Sequence, residues 1–123
     1  MNIITLLNAG QVFEQLGQTK IPSKLAYKIM KFYKSIETEG AFYNNKRKEI
    51  VDLYAEKDEN GQPVVENGMI RIAEDKRSEA SAAMQELDGL DVVAPSIRFT
   101  LAELEGLELS VADMFALDAF IEE

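Results

Sequence analysis

The chain has 123 residues, with 13 Lys and Arg against 22 Asp and Glu and a formal net charge of −9. It contains neither Cys nor His, which removes disulfides, zinc-finger spacings, thiol nucleophiles, Ser-His triads and histidine general bases. The length supports one domain, and a composition 46% hydrophobic and 28% charged is that of a globular chain.

Residues 3–16 predict a first helix, because Leu6, Ala9, Val12, Phe13 and Leu16 recur at the steps of one helical face. Gly17 follows as a C-terminal stop, while Gly10 is a weak point inside the helix. Pro22 belongs in the first turn of the next element, where its missing N–H costs nothing. A long helix is expected over 23–56, with Leu25, Ile29, Phe32, Ile36, Tyr43, Ile50 and Leu53 forming a heptad stripe. Lys24, Lys28, Lys31 and Lys34 run beside that stripe. They read either as a contact surface for an acidic partner or as a solvated flank.

Residues 60–72 predict a small β-hairpin, since Asn60-Gly61 and Asn67-Gly68 are strong turn signals. Asp58-Glu59-Asn60-Gly61 opens like a calcium loop, but Gly61 comes two positions early and Met69 occupies the slot of the bidentate Glu. A turn is the better reading. Residues 73–88 are helical by propensity, with Ala80, Ala83, Met84 and Leu87 as a thin apolar face that leans on the long helix. Residues 90–99 read as an extended connection. Thr100-Leu101-Ala102-Glu103 and Ser110-Val111-Ala112-Asp113 both fit a capping box, which places a short helix at 101–105 and a terminal helix at 111–122. In the latter, Val111, Met114, Leu117, Phe120 and Ile121 are expected to face inward.

The fold expected is therefore a mainly α single domain over 1–123. It would be a long antiparallel helical hairpin with a small β-hairpin at the tip and short C-terminal helices packed across the open end. Helix 73–88 spans roughly 24 Å and helix 23–56 roughly 50 Å. Part of the stripe is thus left for a second copy or a foreign partner, and a homo-oligomer is expected.

Candidate chemistry is sparse. Glu103, Glu105 and Glu108 gather near Asp113, but such acids at a helix start are ordinarily solvated caps, and no ligand spacing or base accompanies them. The seven glycines form neither G-x-G-x-x-G nor G-x-x-x-x-G-K, so the usual nucleotide cradles are missing. No catalytic residue, cofactor or metal is assigned. The weak candidates for partner contact are Lys24, Lys28 and Lys31 on one side and Glu103, Glu105, Glu108 and Asp113 on the other. Residues 1–54 carry a balance of +3 and residues 55–123 one of −12. This asymmetry favours self-association or a protein partner and opposes nucleic acid. Tyr27 and Tyr33 among the lysines keep base stacking open as an alternative. A carboxylate enzyme ranks third. No apolar run reaches the 18 residues of a membrane span. Met1–Leu7 lacks the basic region of a signal peptide, so a cytoplasmic location is expected.

Ile21-Pro22-Ser23-Lys24-Leu25-Ala26-Tyr27-Lys28-Ile29, the long charged helix to Tyr54-Ala55-Glu56-Lys57-Asp58-Glu59-Asn60-Gly61, and the close Leu101 to Ile121 follow a short helix in that order. This order resembles a family of small uncharacterised acidic helical proteins encoded by phages and prophages of Gram-positive and related bacteria. Helix 73–88 is richer in Ala than the family pattern. The resemblance implies a phage origin and the cytoplasm of a bacterial host, with virion association as a second place, and it transfers no functional residue. The function expected is non-enzymatic protein binding, as an assembly factor or an inhibitor of a host system.

Overall fold

The computed structural model describes residues 1–122. The fold is mainly helical. In order, the elements are α1 (Ile3–Gly17), α2 (Ser23–Tyr54), β1 (Val65–Glu66), β2 (Met69–Ile70), a 3-10 turn at Glu74–Lys76 and α3 (Arg77–Asp88). Then follow β3 (Phe99–Thr100), α4 (Leu101–Leu104), α5 (Val111–Leu117), a 3-10 turn at Asp118–Phe120 and β4 (Ile121–Glu122). The chain divides into two compact units, Met1–Glu39 with Asp91–Glu123, and Gly40–Leu90, so α2 contributes residues to both.

In the first unit the apolar face expected on α1 is buried, from Leu6 to Leu16, together with Leu25, Ile29, Phe32 and Ile36 of α2. Four phenylalanines form its centre. Phe13 lies 4.8 Å from Phe32 and 4.6 Å from Phe99, and Phe120 stands edge-on to Phe32 at 4.9 Å. Edge-to-face pairs of this kind add attraction beyond the area they bury. Gly10 has a packing reason: a Cβ there would stand 2.8 Å from Ile36 Cδ1, so α1 and α2 approach where the side chain is missing. Tyr33 Oη donates to the carbonyl of Gly10 at 3.3 Å in the same crossing.

Both capping boxes form. Thr100 Oγ1 accepts from Glu103 N at 3.1 Å while Glu103 Oε1 accepts from Thr100 N at 2.9 Å. Ser110 and Asp113 repeat the exchange at 3.0 and 3.1 Å. The terminal helix is shorter than 111–122, ending at Leu117. The chain turns through Asp118–Phe120 so that Ile121 and Glu122 pair in parallel with Phe99 and Thr100. Pairing with β3 fixes the backbone of those residues and seats Phe120 in the core. Val111, expected inside, is 74% exposed at the helix start.

In the second unit α2 stops at Tyr54 rather than at 56. Ala55 is drawn into an antiparallel bridge with Ile72, and Lys57 into one with Pro63, with Glu56 N donating to Arg71 O at 2.8 Å. Residue 56 cannot serve this ladder and the helix together. The hairpin of β1 and β2 has the register Val65↔Ile70 and Glu66↔Met69. Asn67 and Gly68 both take positive φ, 54° and 78°, as a two-residue type I′ turn requires. Asp58 Oδ1 accepts from Asn60 N and Gln62 N, both at 2.9 Å, which makes the Asp58–Gly61 segment a closed turn. The first turn of the 73–88 segment is 3-10, and α3 begins at Arg77. The heptad stripe thins here: Tyr43 and Ile50 are half-buried and Leu53 is 66% exposed. Ala55, Ala80 and Leu87 are the buried apolar residues of this unit among those described.

Candidate functional site

One residue from each of the two patches expected from sequence meets the other in the first unit. Lys24, Lys28 and Lys31 follow each other at helical steps along α2, and Lys28 Nζ donates to Glu103 Oε1 at 2.8 Å. The same ammonium stands 5.0 Å from the Phe99 ring centroid, a partly desolvated position that strengthens both contacts. The Lys28 hydrogen bond, then the Thr100 N–H, hold the Glu103 carboxyl below its ordinary pKa. Lys28 and Glu103 thus neutralise each other across α2 and α4. Lys31 lies 5.2 Å from the centroid of its neighbour Tyr27, and Lys24 is exposed.

The remaining acids serve other purposes. Glu105 is the exposed C-cap of α4. Asp113 is occupied as the capping acid of α5, and it shares with Glu108 a cleft of about 370 Å³ that also touches Lys20, Val12 and Leu16. Neither Glu103 nor Glu105 lines that cleft. No cluster of three or more acids is placed to hold a metal ion among the described residues, and no helix among them is long and apolar enough to cross a membrane.

The second unit holds a site that the sequence reading passed over. A cleft of about 490 Å³ is lined by Arg47, Arg71 and Arg77, with Ser81 and an apolar floor that includes Ile50, Ile72 and Met84. The chain has four arginines. The fourth, Arg98, donates to the carbonyls of Pro95 and Ile97 at 2.7 and 3.0 Å and stacks on Phe120. Helical spacing builds the walls: Arg47, Ile50 and Val51 share one face of α2, and Arg77, Ala80, Ser81 and Met84 one face of α3.

Electrostatics distinguish the three guanidinium groups. Arg71 Nε pairs with Glu56 Oε2 at 3.0 Å, and its Nη1 lies 3.7 Å from Glu66 Oε2. Arg47 and Arg77 have no carboxylate within ion-pair distance among the described residues, and both are exposed. The signal was present in the sequence as two arginines at matching helical positions. It was masked by the −12 balance of residues 55–123, which draws attention away from single cations. Beside this cleft Tyr43 Oη donates to Asp88 Oδ1 at 2.7 Å, and burial followed by that carboxylate raises the tyrosine pKa. A smaller groove of about 300 Å³ runs along Phe42, Lys46 and Ile50 of α2 and Ala83, Glu86 and Leu87 of α3.

The cleft offers cations and apolar surface, with Ser81 as its hydroxyl. Comparison of the chain with protein-family models, curated proteins and solved structures finds no match.

Proposed function

We propose that this protein is a non-enzymatic, phage-type protein-binding accessory factor. It acts in the cytoplasm of a bacterial host as an assembly factor or as an inhibitor of a host system. The observation that carries the reading is the surface of the Gly40–Leu90 unit. Phe42, Leu53, Val65 and Met69 are exposed there, the last at 72%, and the same unit carries two arginines without a carboxylate partner among the described residues. Apolar anchors rimmed by charge are the usual composition of a protein contact. We read this unit as an antiparallel helical hairpin with a β-hairpin at its end. Two contacts support that reading: Tyr43 of α2 bonds Asp88 at the end of α3, while Arg47 to Val51, farther along α2, share a cleft with Arg77 to Met84, earlier in α3.

Affinity capture from phage-infected Gram-positive cells, with the wild-type chain and the Phe42→Asp variant, tests this function. A stoichiometric protein held by the wild type and lost with the variant is the expected result. Capture of no protein by either overturns the reading. Fluorescence anisotropy with duplex DNA tests the nucleic-acid alternative through Tyr27 and the lysine flank. Binding no tighter than the non-specific level, about 10⁻⁴ M at physiological salt, is expected. Submicromolar binding would put that alternative first.

A further inference from the structure

We infer that the arginine cleft of the second unit is the docking site for the acidic α5 surface of a second copy of this chain. The inference rests on the protein-binding reading above and names its partner. Three observations carry it, and the first is the cleft's chemistry. Arg47 and Arg77 stand over an apolar floor with no carboxylate partner among the described residues, so its best occupant brings carboxylates together with an apolar side chain. An Arg donor fork matches a carboxylate in geometry as well as charge.

The second observation is that this chain exposes such an occupant. Residues 99–122 contain six acids and no Lys or Arg. On α5, Val111 is 74% and Phe115 79% exposed, one helical turn apart, with Glu108 before them and Asp118 after, both exposed. A largely exposed Phe on a short helix flanked by acids is an unusual surface for a monomer, and an aromatic anchor beside charge is what interface centres use. The third is that each surface is open in its own unit. Val111 and Phe115 are exposed, and the cleft remains empty of side chains over about 490 Å³, room for a phenyl ring and a neighbouring carboxylate.

The contact joins two different surfaces, so it is head-to-tail. Each copy offers one of each, and repetition closes a ring or extends a chain of copies. A symmetric dimer through one patch would not have this property.

The test is a reciprocal charge swap on the purified full-length chain. Arg47→Glu with Arg77→Glu reverses the cleft, and Glu108→Arg with Asp118→Arg reverses the α5 surface. Glu at the start of α3 and Arg at the end of α5 suit the helix dipole, whereas Arg in place of Glu108 does not. The melting curve of each variant is therefore recorded beside its association, and Glu108→Gln with Asp118→Asn serves as the neutral form if the reversed one melts early. In sedimentation velocity at tens of micromolar, the wild type should self-associate, and each variant alone should lose at least tenfold in association constant. An equimolar mixture of the two variants should recover it, because each reversed cleft now faces a reversed α5 surface. Phe115→Ala should weaken association without any change in salt dependence. A wild-type mass fixed at 13.8 kDa, or association that the swaps leave untouched or the mixture fails to restore, overturns the second copy as occupant. Capture of a foreign protein, as above, would still stand after that result, so the two failures are told apart.

Discussion

The two units are stabilised by different means although one helix runs through both. The first packs Phe13, Phe32, Phe99 and Phe120 on one another inside a shell of aliphatic residues. Fully burying one such side chain is worth about 1.5–3 kcal/mol. The second buries Ala55, Ala80 and Leu87, and its order comes instead from backbone pairing around Glu56, Val64 and Arg71 and from the turns at Asp58 and Asn67. Net contributions of such hydrogen bonds are about 1 kcal/mol each, and isolated hairpins are marginal in water. Apolar side chains that are not spent on a core remain available to a partner. Both units keep such side chains, Phe115 in the first and Met69 in the second, but only the first, among the described residues, also has an aromatic core beneath them.

The largest effect that can break this contrast is core truncation. Phe32→Ala should cost about 3–5 kcal/mol and lower hydrogen-exchange protection throughout the first unit. Leu87→Ala should cost nearer 2 kcal/mol, at the low end for its class, and raise exchange within Gly40–Leu90 alone. Equal loss of protection in both units from Leu87→Ala would erase the distinction between them.

A gain is expected where the first unit carries a defect. Glu39 Oε2 is buried without a hydrogen-bond partner among the described residues. Glu39→Met removes that oxygen and should raise stability by about 1 kcal/mol in urea titrations. An unchanged or lower midpoint would show that the carboxylate is satisfied in solution.

A smaller effect sharpens the account of the α1–α2 crossing. Ile36→Val deletes the Cδ1 that a Cβ at position 10 would meet at 2.8 Å. The substitution should therefore cost less in a Gly10→Ala background than in the wild type, with a coupling of about 0.5–1 kcal/mol. Strict additivity would mean that the helices separate freely there.

The last effect changes only at alkaline pH. Burial, with the Glu14 carboxylate adding to it, pushes the Tyr33 phenol up to about 12. The folded state thus holds the proton more tightly than the unfolded chain. This contribution is complete below pH 10 and is lost as the pH rises from about 10 through about 12. Tyr33→Phe should flatten that alkaline decline while costing one hydrogen bond to Gly10 at neutral pH. An identical decline in the variant would assign it to other groups.

Helix positions and caps were legible in the sequence because their physics is local. Leu6 to Leu16 declared a buried face by spacing, and Thr100-x-x-Glu103 and Ser110-x-x-Asp113 declared two helix starts by hydrogen-bonding chemistry. The Asn67-Gly68 turn belongs with them. What escaped depends on partners far along the chain. Nothing near Ile121 says that it will pair with Phe99, and without that pairing a helix to 122 is the natural reading. Ala55 and Glu56 likewise leave α2 only because Ile72 and Arg71 come to meet them. Lys28 and Glu103 were identified as members of separate patches, and their ion pair spans 75 positions. The arginine cleft needed three elements in register before it could be seen.

The first unit is discontinuous, since residues 40–90 separate its two segments. During synthesis, Phe13 and Phe32 emerge from the ribosome long before Phe99 and Phe120 exist to meet them. Closing an interval of about fifty residues costs on the order of 3–4 kcal/mol of chain entropy. Early order in residues 40–90, whose turns and hairpin are local, would shorten the effective interval and bring Asp91 within reach of Met1. The segment with the weakest core would then set the pace at which the strongest one closes, and substitutions in its turns would be felt first in the yield of folded protein.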